Sequence, residues 1–317
     1  MATQMKLRVG NYSIALDSGE KDSNLRFVSH AHFDHISGVR KGREALMSQP
    51  TKKLIEERKK MDIKTCCIPD GMELLSAGHI LGSKQLFIQG DGYSAVYSGD
   101  FQMHESAVAE KIKTKKADKA ILDSTYPFPE IIFDDKDETI ENIQKYVLSK
   151  SEKGIVLFGA YALGKSQELI HILNEVGIKP VVHPKVSKLS KIYTDFGINL
   201  EYASVTDNEL EVEELTRRNF VGIVDPRSLL EAKMNLSNSY GKRVFTAVAT
   251  GFSRIFNFGV DVGFSLSDHA DFVQATEYID ACCASEVYTL GKNAEIFASN
   301  LCKAGYNAMP MREGMSL

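Results

Sequence analysis

No stretch of the sequence approaches the roughly 18–20 consecutive apolar residues that a membrane-crossing helix needs. The opening MATQMKLRVG also lacks the apolar run of a signal peptide. Cysteine is too sparse and too awkwardly spaced to staple a fold. The five residues fall as the adjacent pairs Cys66–Cys67 and Cys282–Cys283 with a lone Cys302, which is neither an even disulfide framework nor a CxxC zinc motif. These absences lead to the expectation of a protein of the reducing cytoplasm with no membrane association. An excess of positive charge is missing too: 38 Lys and Arg stand against 42 Asp and Glu, a net charge of −4. A nucleic-acid partner would therefore have to be held by local basic clusters, with bound metal offsetting charge at the site. Much of the acid lies in DDKDE (134–138) and in 201–215, which read as solvated faces. Internal repeats and low-complexity tracts are absent. What remains is 317 residues with 43% hydrophobic content, ordinary for a soluble globular protein and enough for a sizeable core.

Against that background one string stands out. HAHFDH at 30–35 places His30, His32, Asp34 and His35 within six residues, directly after the short apolar run Leu25, Phe27, Val28. Neutral imidazoles and carboxylates are ligands that borderline metals such as zinc prefer. Alternation sends His30 and His32 the same way off a strand end, and Asp34 and His35 follow in the turn. Histidines also cluster on wet surfaces, but residues downstream complete the same pattern. His79 lies in AGHILGS, Asp100 in VYSGDF and His269 in FSLSDHADF, each at a strand end beside Gly, Ser or Asp. Scattered core histidines would not repeat that placement. His30, His32, His79 and Asp100 form one expected metal site. Asp34, His35, Asp100 and His269 form a second, with Asp100 bridging. Two such metals can activate water and stabilise an in-line displacement at phosphorus. His171 in a helical pattern and His104 in a polar loop read as bystanders, whereas His183 in VVHPK has a weaker claim on the substrate.

Element patterns organise the rest. Residues 5–16 read as a hairpin turning near Gly10–Asn11, and Asp17 follows it, placed to orient a metal histidine by hydrogen bond. A charged helix is expected over 51–60 with Thr51 as N-cap. Strands are expected around 73–76, 85–89, 93–98 and 119–123. From 137 helices and strands alternate, the pattern of a small parallel sheet. These are helix 137–150, strand 154–159, helix 164–176, strand 179–183, helix 187–196, strand 220–224 and helix 226–233. A strand at 243–249 then returns to the first part, followed by helix 271–281, strand 286–290 and helix 293–304. In FGAYALGKSQEL, Gly164, Lys165 and Ser166 open a helix whose free N–H groups attract anions, although the spacing is not that of a Walker A motif. An ordinary helix cap explains the same residues equally well. Tyr161 and Ser267 are further hydroxyl donors there, and Lys185, Lys188 and Arg227 are basic residues that can line a cleft or simply face solvent.

HAHFDH, His79 and the SGD ending at Asp100 resemble the metallo-β-lactamase fold, an αββα sandwich. ILDSTYPFP with Asp123, FGAYALGKSQELI and the SDHAD around His269 resemble its nucleic-acid-processing branch, the β-CASP nucleases, over essentially the whole chain. The resemblance implies an α/β core at 1–136 and 243–317 with an inserted α/β β-CASP cap at 137–242. It also implies a metal-dependent phosphodiesterase carrying two divalent ions, zinc first, with magnesium or manganese at the second site as an alternative. Asp123 would orient Asp100 or His269, and the helix start at Gly164–Ser166 would receive a DNA phosphate. LDSTYPFPEIIF is similar to the Artemis and cross-link-repair exonucleases, and AYALGK with LSDHAD to bacterial exonucleases associated with a ligase and a helicase. RNA-processing members carry a histidine near the C-terminus where this chain has Leu290, which favours DNA. The implied function is a DNA 5′ exonuclease of repair with a helicase or ligase partner. An RNA nuclease and an inactive nucleic-acid-binding scaffold are the alternatives.

Overall fold

The computed structural model describes residues 6–9, 11–20, 22–90, 92–206, 213 and 216–312. The expected turn glycine Gly10, and residues 207–212, 214 and 215 of the acidic stretch, lie outside the described residues. The chain divides into two units, Met1–Ile132 with His269–Leu317, and Phe133–Asp268. No helix among the described residues is long and apolar enough to cross a membrane.

In the first unit, β1 (Lys6–Val9) and β2 (Tyr12–Leu16) form the expected hairpin, with Lys6 opposite Ala15, and β3 (Leu25–Phe27) runs parallel to β2. β4 (Glu44–Ala45) and β5 (Lys64–Thr65) are a short parallel pair joined to β3 by a bridge from Phe27 to Leu46. Between them runs α1 (Gln49–Lys59). β6 (Met72–Ser76), β7 (Lys84–Gly90) and β8 (Tyr93–Tyr97) make an antiparallel meander. β9 (Lys119–Asp123) then joins β8 in parallel. The larger sheet is completed from the far end of the chain, by strands described below.

In the second unit α2 (Lys136–Ser151), β10 (Ile155–Gly159), α3 (Lys165–Glu175), β11 (Val181–Val182), α4 (Pro184–Asp195), β12 (Ala203–Ser204), β13 (Val221–Val224), α5 (Leu229–Tyr240), β14 (Val244–Ala249) and β15 (Val262–Phe264) alternate. The strands form one wholly parallel sheet in the order β12-β11-β13-β10-β14-β15. Residues of α5, Leu229 with Ala232 and Leu236, close over Ile155, Leu157, Val181, Val244 and Val248 of this sheet.

The chain then returns to the first unit as α6 (Phe272–Cys282), β16 (Glu286–Leu290), α7 (Ala294–Lys303) and β17 (Ala308–Pro310). β16 slots in parallel between β9 and β17, giving the order β17-β16-β9-β8-β7-β6. Period-two alternation divides this sheet between two cores. Phe87, Val96, Ala120, Leu122 and Val287 face Tyr278, Ile279, Phe297 and Leu301 of α6 and α7. Leu86, Ile88, Tyr97, Ile121 and Tyr288 face Leu7, Ile14, Leu16, Leu25 and Phe27 of the small sheet.

Two expectations change. The strand at 243–249 does not mark the return to the first unit. β14 pairs with β10 (Val156 opposite Phe245) and with β15, so the second unit extends to Asp268 rather than ending at 242. All six residues of β14 are buried. A strand covered on both faces shows no polar side, and so nothing local to say which sheet it joins. The N-cap of α1 is Ser48, not Thr51: Ser48 Oγ accepts from Thr51 N, and Pro50 sits in the first turn, where its missing N–H costs nothing.

Candidate metal centre

The centre lies at the ends of strands in the first unit. β3 releases the chain at Ser29, and HAHFDH follows as a turn. β8 ends before Gly99, which adopts φ +55°. A Cβ there would lie 2.6 Å from Ser29 Cβ, so the close approach of the two strand ends requires glycine. The loops are then pinned to one another. Lys84 N donates to Ser29 O at 2.9 Å, Gln102 N to Ala77 O at 3.2 Å, and Ala270 N to Phe101 O at 2.7 Å.

This brings four of the expected ligands together. Ligand atoms of His30, His32, His79 and Asp100 lie within 4.8 Å of one another. His30 Nε2 and His79 Nε2 stand 3.4 Å and 3.7 Å from Asp100 Oδ2, and His79 Nε2 stands 3.0 Å from His32 Nδ1. Nitrogen and oxygen ligands at about 2.0–2.1 Å from a tetrahedral zinc stand about 3.4 Å apart, so the set fits such an ion. His30 supplies a direct sign of fit. Its ring is fully buried, and Nε2 has no hydrogen-bond partner in the structure, an arrangement that a bound cation satisfies. Burial, reinforced by His35 and His79, holds His30 well below the ordinary histidine range, the neutral form that coordinates metal.

Asp100 turns its other oxygen elsewhere: Oδ1 is 3.3 Å from His35 Nε2, while His269 Nε2 is 3.9 Å from Oδ2. Asp100, Asp123 and His269 form a further group within the same 4.8 Å limit. Asp34 behaves differently. Its side chain is 82% exposed, though Oδ2 comes within 3.7 Å of His35 Nε2, and it belongs to none of the close groups among the described residues.

Asp17 and Asp123 hold the rings. Asp17, at φ +47°, accepts from Ser29 N (2.7 Å), Ser29 Oγ, Tyr97 OH (2.9 Å) and, through Oδ2, from His35 Nδ1 at 2.8 Å. For His35, burial favours the neutral ring but is outweighed by Asp100 and Asp17, which raise it well above the ordinary range. Asp123 Oδ2 lies 3.2 Å from His269 Nδ1 and Oδ1 accepts from Thr125 Oγ1. Burial pushes the Asp123 carboxyl up, but the contact with His269 prevails and lowers it.

Sequence patterns mark α1 only as a charged helix. Its first turn grips the His79 loop: Ser48 Oγ and Thr51 Oγ1 both donate to Gly82 O, at 2.6 Å and 2.9 Å. Its last turn grips the HAHFDH loop: Arg58 Nη1 donates to Ala31 O at 2.9 Å, and Lys59 Nζ donates to Ile36 O and Val39 O at 2.7 Å and 2.9 Å. One helix thus braces two ligand-bearing loops. The visible signal was a pair of basic residues in a last turn, which usually serves only the helix's own carbonyls.

At the expected phosphate site in the second unit, the polar groups are paired within the chain. Lys165 is buried, and its Nζ pairs with Glu168 Oε2 at 2.8 Å. Glu168 Oε1 takes Lys136 Nζ at 2.8 Å. Gly164 N donates to Gln167 Oε1 and Ser166 Oγ to Tyr161 O. The Lys165 ammonium is thus paired with Glu168 of its own helix. Tyr161 is exposed, and Ser267 is half-buried. The remaining histidines and cations are placed as follows. His183 caps α4 by accepting from Lys185 N, His171 lies beside Glu175, His104 is exposed, Lys185 and Lys188 are exposed, and Arg227 pairs with Asp225.

No family model matches the chain. It is 31% identical over 306 residues, 92% of its length, to a "Probable DNA ligase" of Opitutus terrae, of which it spans 29%. To the "DNA cross-link repair 1A protein" of Mus musculus it is 26% identical over 169 residues, 48% of this chain and 16% of that one. To the "Probable RNase MJ4" of Methanocaldococcus jannaschii it is 24% identical over 274 residues, 73% of this chain and 63% of that one.

Proposed function

We propose that this chain, which belongs to the β-CASP nuclease family of the metallo-β-lactamase fold, is a metal-dependent nuclease that hydrolyses DNA from 5′ ends. The observation that carries the reading is the convergence of His30, His32, His79 and Asp100, with Asp100 also facing His35 and His269. The first unit corresponds to the αββα core and the second to the inserted cap. Two divalent ions, zinc at the first position and zinc, magnesium or manganese at the second, would supply activation of water and neutralisation of phosphate charge. His30, His32, His79 and Asp100 would hold one, and His35, His269 and Asp100 the other, with exposed Asp34 closing on it. Asp17 fixes the tautomer of His35 by accepting a hydrogen bond from its Nδ1–H, which leaves Nε2 to coordinate, and Asp123 does the same for His269. Asp123→Asn is accordingly expected to weaken metal binding about 10–100-fold. Competition with a chromophoric chelator measures it, and an unchanged affinity would remove Asp123 from this role.

DNA is favoured by Leu290. It is the register partner of Asp123 across β9 and β16, so the place where RNA-processing relatives carry histidine lies beside the site and holds an apolar side chain. Likeness to part of a probable DNA ligase supports a ligase partner and a role in repair, and five free cysteines suit the cytoplasm. Likeness to an archaeal probable RNase keeps RNA as the second reading. Matched DNA and RNA oligonucleotides labelled at either end, digested with zinc, manganese or magnesium, separate the two. DNA is expected to be cleaved at least about tenfold faster, about 1.4 kcal/mol in barrier, with mononucleotides released from the 5′ end. Equal or faster cleavage of RNA reverses the substrate assignment, and release from the 3′ end reverses the polarity.

A further inference from the structure

The geometry points to Phe33 as a stacking platform for a nucleobase beside the scissile phosphate, an inference that rests on the nuclease reading and gives that site a second point of contact with its substrate. Phe33 stands between His32 and Asp34 in the ligand-bearing turn, yet its side chain is 70% exposed. A single exposed apolar residue ordinarily means little. Here two further features accompany it. The Arg58 guanidinium lies over the Phe33 ring, 5.8 Å from its centroid, and that guanidinium is itself fixed by its bond from Nη1 to Ala31 O. The ring therefore has a cation on one face, while most of its surface stays open to solvent. A base stacking on the open surface would meet a ring already held, so little side-chain freedom is lost on binding. Because every base offers a π-face, such a platform grips any sequence. That suits an enzyme that degrades a strand without reading it. The loop that carries the ring also carries His30, His32 and His35, so a base held on Phe33 fixes its own phosphate relative to the metal ligands.

The test compares oligonucleotides that differ only by an abasic nucleotide at each of the positions flanking the cleaved bond. Wild-type protein is expected to prefer the base-bearing substrate at one position by about tenfold in kcat/KM, mainly through KM. In Phe33→Leu and Phe33→Ala that ratio should fall towards one, and Phe33→Trp should restore it. Metal content of each variant reports whether the turn is intact, and the Leu and Trp forms decide the matter should Ala disturb it. Independently of turnover, 2-aminopurine at the same position should be quenched when wild-type protein binds the oligonucleotide in EDTA, and should stay bright with Phe33→Leu. A ratio that is the same in wild type and Phe33→Leu, with equal quenching, overturns the platform while leaving the nuclease reading in place. Quenching that depends on Phe33 in a protein that cleaves neither substrate overturns the nuclease reading and keeps the base contact. Failure to bind any oligonucleotide overturns both.

Discussion

Asp100→Asn protein is expected to turn over substrate at least about a thousandfold more slowly than wild type, about 4 kcal/mol in barrier, while remaining folded. The substitution keeps the shape of a side chain that faces four imidazoles, with Oδ1 towards His35 and Oδ2 towards His30, His79 and His269. It removes the negative charge and replaces one lone-pair-bearing oxygen with an NH2 that cannot coordinate. Since that one carboxylate serves both proposed metal positions, metal content by mass spectrometry should fall below the single-site loss expected of His32→Ala. Full metal occupancy with wild-type turnover would refute the bridging role.

Glu168→Gln is expected to cost about 3–5 kcal/mol of stability in the second unit, because it leaves one buried and one half-buried ammonium group with their shared carboxylate gone. That corresponds to a fall of about 10–17 °C in Tm. The pH dependence has a definite sign. Burial raises the Glu168 carboxyl, but Lys165 and Lys136 outweigh it and hold the group below its ordinary value. A depressed folded-state pKa contributes stability that is present above the unfolded value, about 4.3, and is lost as pH falls through the folded one. Lys165 is shifted the other way. Burial lowers it, Asp268 and Glu168 raise it further, and its share fails only in alkali. The gap in Tm between wild type and Glu168→Gln should therefore be flat across neutral pH and close below about pH 4. A gap that stays constant down to pH 3 would show that the carboxylate charge is not what stabilises this cluster.

The ligand-bearing turns were legible in the sequence because metal chemistry restricts residue type tightly and strand ends are marked by Gly, Ser and Asp. HAHFDH, His79, Asp100 and His269 needed no knowledge of packing to be singled out, and most of their ligand atoms do lie close together. What stayed hidden depended on tertiary partners. Lys165 at a helix start reads as an anion site, and only the folded chain shows it paired with its i+3 neighbour Glu168, which the distant Lys136 also holds. β14 offered six buried residues and no polar face, so its sheet could not be read locally. The bracing by α1 was invisible because Arg58 and Lys59 act on carbonyls of Ala31, Ile36 and Val39, and any residue can supply a carbonyl. Asp34 has the right chemistry in the right string, but its side chain stands largely in solvent.

The way β16 is inserted between β9 and β17 has a consequence for how the protein is made. A ribosome delivers β9, with Asp123 at its end, long before the strand that must lie against it, and everything from Phe133 to Asp268 emerges in between. The second unit, whose described strands pair with one another, can close while still tethered. The first unit must wait with one edge of its sheet bare, and His269 reaches the other ligands only after the whole second unit has been synthesised. Completion of the second proposed metal position then follows synthesis of the whole second unit. A nascent chain arrested before residue 269 would lack the proposed nuclease activity and carry an open strand edge, the kind of surface on which chaperones act.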